Sequence, residues 1–298
     1  MLTMAQQLAA DAKRIKDDIR ILLGEHSRIR IHEADDGPVI SLSPKGNNYW
    51  EELPIEGRRL QTKILKDYGR YRDLVRSLIT GVAEDLQRRF AEADEAIQDN
   101  VKQEYGTSCT TREEAIEETR AAFDRIEDLI DGLYSSEGMS LVVPDTNALL
   151  ANPDLPSWRF DWCESFEIIL LPTILGELDK LKVTARGEDT RDKVKGIIRQ
   201  IKDLGRRADL QRGVPVLEGR ITARSVAIEP KVTEALPWLD STNEDDRFLA
   251  SVIELIRENV RSIVVIVTLD VNLQNKARLA RLPFCEPPPR PEKGSSDD

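Results

Sequence analysis

Four acidic residues stand out because each closes an apolar run or opens a patterned helix. Asp145 ends the run Leu141-Val142-Val143-Pro144, and Asp270 ends Ile263-Val264-Val265-Ile266-Val267-Thr268-Leu269. Glu177 lies one turn into a helix opened by Thr173, and Asp246 sits in the first turn of a helix opened by Ser241-Thr242-Asn243. Each acid also has a plain structural use. Asp145 caps the helix that begins at Asn147. Thr242-x-x-Asp245 is close to a capping box, and a helix glutamate is commonly just exposed. Taken together, the four place carboxylates at one end of a parallel sheet, where the strand ends and following loops of open α/β folds form a crevice. Anions gathered there repel unless a cation cancels them. A hard divalent ion suits all-oxygen ligands, which makes Mg²⁺ or Mn²⁺ the expected partner. Such a site activates water and stabilises the charge that develops when a phosphodiester is displaced in line.

The rest of the composition removes competing chemistries. Only His26 and His32 occur, both outside the α/β half, so general-base imidazole, a Ser-His-Asp triad and histidine zinc ligation are disfavoured there. Cys109, Cys163 and Cys285 are odd in number and widely spaced, which fits neither a disulfide framework nor a CxxC metal site. The apolar runs are too short to span a bilayer, and the first residues lack the basic and apolar regions of a signal peptide, so a cytoplasmic location is expected. The net charge of -11 opposes a polyanionic partner, but its distribution does not: Lys180 to Arg224 holds 13 Lys and Arg against 6 Asp and Glu.

The elements that must position the acids are legible as alternating strands and helices. Strands are expected at Leu141–Pro144, Phe166–Leu171, Val214–Leu217, Val226–Ile228 and Ile263–Leu269, with an edge strand within Arg281–Cys285. Between them, helices are expected from Thr173, over Thr190–Ala208, from Ser241 and over Val271–Ala280. The fold class is therefore α/β, a small parallel sheet with helices on both faces, preceded by an α-helical N-terminal region. That region reads as a helix over Ala5–Leu23, one or two long helices over Ile55–Val101 with Gly81 not decisive, and a helix over Thr111–Leu133 opened by a capping box at Thr111 and Glu114. Turns are expected at Asp35–Pro38 and Lys45–Asn48, with a short strand at Pro38–Leu42. Arg59, Lys63, Lys66, Arg70, Arg72 and Arg76 read as the wet side of a helix. The polar break Tyr134–Gly138 divides residues 1–138 from 139–286, and the Pro-rich tail 287–298 is expected to be disordered.

The motifs resemble those of the PIN-domain nucleases, in order and over the C-terminal half only. Val143-Pro144-Asp145-Thr146-Asn147 is similar to the first motif, Leu175-Gly176-Glu177-Leu178 supplies the second acid, and Asn243-Glu244-Asp245-Asp246-Arg247-Phe248-Leu249 resembles the third. Thr268-Leu269-Asp270-Val271-Asn272, followed by Lys276-Ala277, resembles the fourth. The resemblance implies a metal-dependent endoribonuclease that leaves a 5′ phosphate, acting on RNA, single-stranded in preference. Asp145, Glu177, Asp246 and Asp270 are then the catalytic and metal-binding acids, with Asp245 in reserve. Thr146, Asn147, Asp245, Thr268 and Asn272 support them, and Lys193, Lys195, Arg199, Lys202 and Lys276 hold the nucleic acid. Two other uses stay open: a non-catalytic scaffold or partner-binding module, and a nuclease of single-stranded DNA. For the N-terminal helices, a homo-oligomer contact or a protein partner is the expected use. The long N-terminal region departs from the small bacterial PIN toxins.

Overall fold

The computed structural model describes residues 4–31, 48–104, 106–134, 138–259 and 261–290. His32, the turn at 35–38, the strand expected at Pro38–Leu42, most of the turn at 45–48, the break at 135–137 and the tail 291–298 lie outside the described residues. The chain divides into two compact units, an N-terminal one running to Leu133 and a C-terminal one beginning at Tyr134.

The N-terminal unit is built on four helices: α1 (Met4–Ile21), α2 (Ile55–Leu78), α3 (Glu84–Lys102) and α4 (Arg112–Tyr134). Its core follows helical spacing, with Leu8, Ala12, Ile15 and Ile19 of α1 buried and Ile64, Tyr68, Tyr71, Leu74 and Val75 of α2 buried. The rings of Tyr68 and Tyr71 lie 5.8 and 6.0 Å from that of Phe123 in α4. Gly81 does break the 55–101 pattern: at φ +82 it takes a left-handed turn that a side chain would strain, and the run becomes two helices. Thr111 caps α4 by accepting from the Glu114 N–H at 3.1 Å, while the Glu114 carboxylate reaches back to the Thr110 N–H at 2.7 Å. A three-stranded antiparallel sheet, β1 (Ile29–Arg30), β2 (Asn48–Trp50) and β3 (Gly106–Thr107), also belongs to this unit. Two or three residues per strand leave no periodicity to read in a sequence.

The C-terminal unit holds a six-stranded, mostly parallel sheet flanked by helices. In chain order it runs β4 (Ser140–Pro144), α5 (Thr146–Ala151), β5 (Phe166–Leu170), α6 (Pro172–Thr184), α7 (Glu188–Arg207), β6 (Val214–Leu217), β7 (Ile221–Ser225), α8 (Glu244–Glu258), β8 (Ile263–Val267), α9 (Val271–Leu279) and β9 (Phe284–Cys285). The spatial order is β6-β7-β5-β4-β8-β9, with only β6 antiparallel. Central strands are buried on both faces, which explains their unbroken apolar runs. Parallel register pairs Pro144 with Val267, and the Asp145 N–H donates to the Val267 carbonyl at 3.0 Å. Asp145 and Asp270 therefore leave the sheet at the same carboxyl edge.

The second β segment falls at Ile221–Ser225, earlier than the Val226–Ile228 expected from the sequence. Ile221 and Ala223 point inward and pair with Phe166 and Ile168 of β5, whereas Ile228 is buried by packing outside a strand. Within the segment expected as a tail, the Pro288 carbonyl accepts from the Asn152 amide at 3.0 Å. Among the described residues no helix is long and apolar enough to cross a membrane.

Glu167 is a charge buried inside β5, and Arg224 of the neighbouring β7 donates to it at 2.8 Å. Gly213 sits against this pair, where a Cβ would approach Glu167 Oε1 to 3.2 Å. Removing one partner of a buried ion pair leaves an uncompensated charge and costs about 3–5 kcal/mol when burial is complete, less for this partly exposed arginine. Urea unfolding should show Arg224→Met destabilised by about 2 kcal/mol or more, with most of the loss recovered in Glu167→Met/Arg224→Met. Equal stability of the single variant and the unaltered protein would show that the pair is not needed.

Candidate active site

A hollow of about 360 Å³ opens at the carboxyl edge of β4, β5 and β8. Asp145, Glu177, Glu229, Glu244, Asp245 and Asp270 all line it, against Lys180 and Arg247 as the only bases of its lining. The imbalance makes it a strongly anionic cleft.

Asp145 is buried and fixed at both oxygens. One caps α5 by accepting from the Ala148 N–H at 2.6 Å, and the other accepts from the Thr268 hydroxyl. That hydroxyl oxygen in turn accepts from the Asp270 N–H at 2.9 Å, so Thr268 ties the two strand-end acids together. Asp270 caps α9 through the N–H groups of Asn272 and Leu273, at 2.8 and 3.1 Å. Its other oxygen lies 3.5 Å from the Asn147 amide. Glu177 of α6 accepts from the Thr146 hydroxyl at 2.7 Å. Burial pushes the Asp145 carboxyl up from 3.8 to about 6, and the negative charges of Asp270 and Glu177 add to it, outweighing the bonds from Thr268 and Ala148 that pull the other way.

In α8 the structure exchanges the two adjacent acids. Asp245 lines the hollow, while Asp246, expected as the direct ligand, is buried in the wall behind it. Asp246 accepts from the Asp240 N–H at 2.9 Å, and its other oxygen meets Lys276 Nζ at 2.8 Å in an ion pair without directed hydrogen-bond geometry. The reason is helical phase: Asp246 shares the inward side of α8 with Leu249, Ala250 and Ile253, and Asn243 caps its N–H at 3.2 Å. Asn272 donates to Asp245 at 2.6 Å, and Lys276 lies 3.2 Å from the same carboxylate. Lys276 also donates to Asn243 Oδ1 at 2.9 Å, so this lysine, expected to meet nucleic acid, is committed to the α8 N-terminus. Burial lowers its pKa, but the bonds to Asp246 and Asp245 outweigh that and leave it raised.

The basic residues expected on α7 separate as well. Lys193 pairs with Asp189 at 2.9 Å, whereas Lys195, Arg199 and Lys202 line a second groove outside the acidic cleft. Sequence reasoning missed Glu229, Glu244 and Lys180. Lys180 reaches Glu244 at 2.8 Å from α6 to α8, a pairing 64 residues apart that no local spacing signals.

The acids differ in whether a base accompanies them. Asp245 and Asp246 share Lys276, and Glu244 has Lys180. Among the described residues Asp145, Glu177 and Asp270 have no Lys or Arg within ion-pair distance. An all-oxygen donor set, a carboxyl raised by burial and by the neighbouring negative charges, and a lining without imidazole or thiolate fit a hard divalent cation. The cage is not closed: among the described residues no three His, Cys, Asp or Glu side chains meet closely enough to hold an ion ready-made.

A mostly parallel sheet with an acidic cleft at its carboxyl edge defines an open α/β domain of the kind that binds ligands at strand ends. Residues 142–286 match the family model of the PIN domain, and the C-terminal half of the chain is a PIN domain. PIN domains are generally nucleases, act on nucleic acids and typically use divalent metal ions. No curated protein matches the sequence.

A carboxyl whose folded pKa exceeds its unfolded value costs nothing below about pH 4. The penalty grows as pH rises through about 6 and is constant above that. For Asp145 the full penalty is about 3 kcal/mol. In EDTA at pH 7.5, Asp145→Asn, which keeps a capping oxygen, should melt higher than the unaltered protein. The gap should close at pH 4. A variant that melts lower at both values would show that the acid is not strained.

Proposed function

We propose that the C-terminal half is a metal-dependent endoribonuclease using Mg²⁺ or Mn²⁺. The supporting observation is the trio Asp145, Glu177 and Asp270, three carboxylates of one hollow with no basic partner among the described residues. Asp145 and Asp270 would hold the ion from the strand ends, with Asp245 reaching it from α8. When bound, the ion supplies a nucleophilic water at neutral pH and a counter-charge for the phosphoryl oxygens.

The chain's own groups do the positioning. Thr268 fixes the Asp145 carboxylate relative to the Asp270 backbone, and Asn272 holds both Asp270, through its N–H, and Asp245, through its side chain. Thr146 orients Glu177, whose remaining oxygen would accept a proton from the attacking water. Asp246 supports the site indirectly, by holding Lys276 against Asp245.

A second reading is favoured by one observation, the open arrangement of the acids, which also suits a scaffold that takes no metal. Cleavage of end-labelled single-stranded RNA in Mn²⁺ separates the two. The unaltered chain should cut internally. Thr268→Val should lose about 10–100-fold, the usual cost of removing an outer partner of a metal ligand, and Asp145→Asn more than that. Failure of the unaltered chain to cut, or undiminished cutting by Asp145→Asn, would reject the nuclease reading. Parallel digestion of DNA of the same sequence tells which sugar the cleft accepts.

A further inference from the structure

Helix α7 carries a cationic stripe beside its buried face. Val194, Ile197 and Leu204 are buried, while Lys195, Arg199, Lys202 and Arg206 recur at steps of four, three and four residues, which aligns them on one side of a helix. With Lys182 from α6 they line a groove of about 240 Å³ floored by Ile198. Its lining holds those five bases and a single acid, Asp203, in a chain whose net charge is -11.

Some of this charge is already spent. Lys195 pairs with Asp192 at 3.2 Å and Arg206 with Asp203 at 2.9 Å. Among the described residues Lys182, Arg199 and Lys202 have no carboxylate partner. Three unpaired cations side by side repel one another, and an anion with charges repeated along its length relieves that repulsion best. The groove and the cleft border the same helix. Helix α6 presents Glu177 and Lys180 to the acidic hollow and Lys182 to the basic groove. At about 1.5 Å per residue, five residues separate the two by roughly 8 Å along the axis. Lys180, on the cleft side of α6, is exposed, and its ion pair with the exposed Glu244 is worth little in water and easily exchanged for a phosphate.

We infer that the α6–α7 groove is a binding site for the phosphodiester backbone of a single strand, held on one side of the scissile bond and continuing over α6 to Lys180 and the acidic cleft. The assignment rests on the nuclease reading for its substrate class. It adds a second site, to which Lys182, Arg199 and Lys202 contribute the free charge and from which Lys193 and Lys276 are excluded.

The test is binding without hydrolysis: fluorescence anisotropy of labelled 20-nucleotide RNA and of DNA of the same sequence, with the full chain in EDTA, across a salt series. Lys182→Met/Arg199→Met/Lys202→Met keeps the side-chain stems and should weaken binding at low salt by about tenfold or more. Its slope of log affinity against log salt should fall by about 2, at roughly 0.7 per lost single-strand contact. Arg212→Met, in the loop beyond α7, should change neither. The strand whose affinity falls is the ligand. Unchanged affinity and slope for both strands, in a triple variant that melts as the unaltered protein does, would overturn the groove. An equal loss in Arg212→Met would do the same, because it would show a diffuse field. Cleavage in Mn²⁺ is scored separately. A chain that cuts but binds independently of these residues keeps the nuclease and loses the groove, and one that binds through them without cutting does the reverse.

Discussion

Repulsion among carboxylates at one edge of the β-sheet is the constraint around which the C-terminal domain is arranged. Asp145 and Asp270 follow neighbouring parallel strands whose register pairs Pro144 with Val267, so neither can leave that edge without breaking the ladder. Nor can their side chains turn away, because each caps the helix that follows. The raised pKa of Asp145 comes first from its burial, and the negative charges of Asp270 and Glu177 add to it. A protein selected for stability alone has simple remedies, such as an asparagine or a lysine nearby, and the domain uses the second elsewhere.

Lysine and arginine neutralise acids outside the trio Asp145, Glu177 and Asp270. Lys276 serves Asp245 and Asp246, Arg224 serves Glu167 and Lys180 serves Glu244. The acids without such partners are the ones whose oxygens are aimed by Thr146, Thr268, Asn147 and Asn272. This division sets Asp145, Glu177 and Asp270 apart from the neutralised acids more sharply than burial does, and Asp245, which lines the cleft yet meets Lys276, stands between the two groups. It also places opposite potentials on one helix, since α6 borders the acidic hollow at Glu177 and the basic groove at Lys182.

Much of the α/β half is legible in the sequence because its central strands are apolar runs ended by acids, and its helices open with caps. The strand-end acids could be named from their positions, and their Thr and Asn neighbours from the resemblance of the motifs to those of PIN nucleases. Which of Asp245 and Asp246 faces the cleft could not, because both lie in the first turn of α8 and one residue of phase decides it. Lys276 was equally opaque: a lysine on an exposed helix reads as a phosphate contact until its three oxygen partners on α8 are seen. β7 was displaced because Ile221-Thr222-Ala223-Arg224-Ser225 carries only two inward residues, one of them small, and Arg224 masks the pattern by pairing with a buried acid. In the N-terminal unit the long helices were plain from their periodicity. The small sheet depends on pairings between segments far apart, which no local pattern records.

The account turns on whether a divalent ion relieves the unpartnered carboxylates. Electron paramagnetic resonance of free Mn²⁺, titrated against the full chain at pH 7.5, measures this directly and requires no substrate. The account predicts saturable Mn²⁺ uptake by the unaltered protein, and its loss in Asp145→Asn and in Asp270→Asn while both variants stay folded. Uptake that is absent from the unaltered chain, or that survives both substitutions, would contradict it.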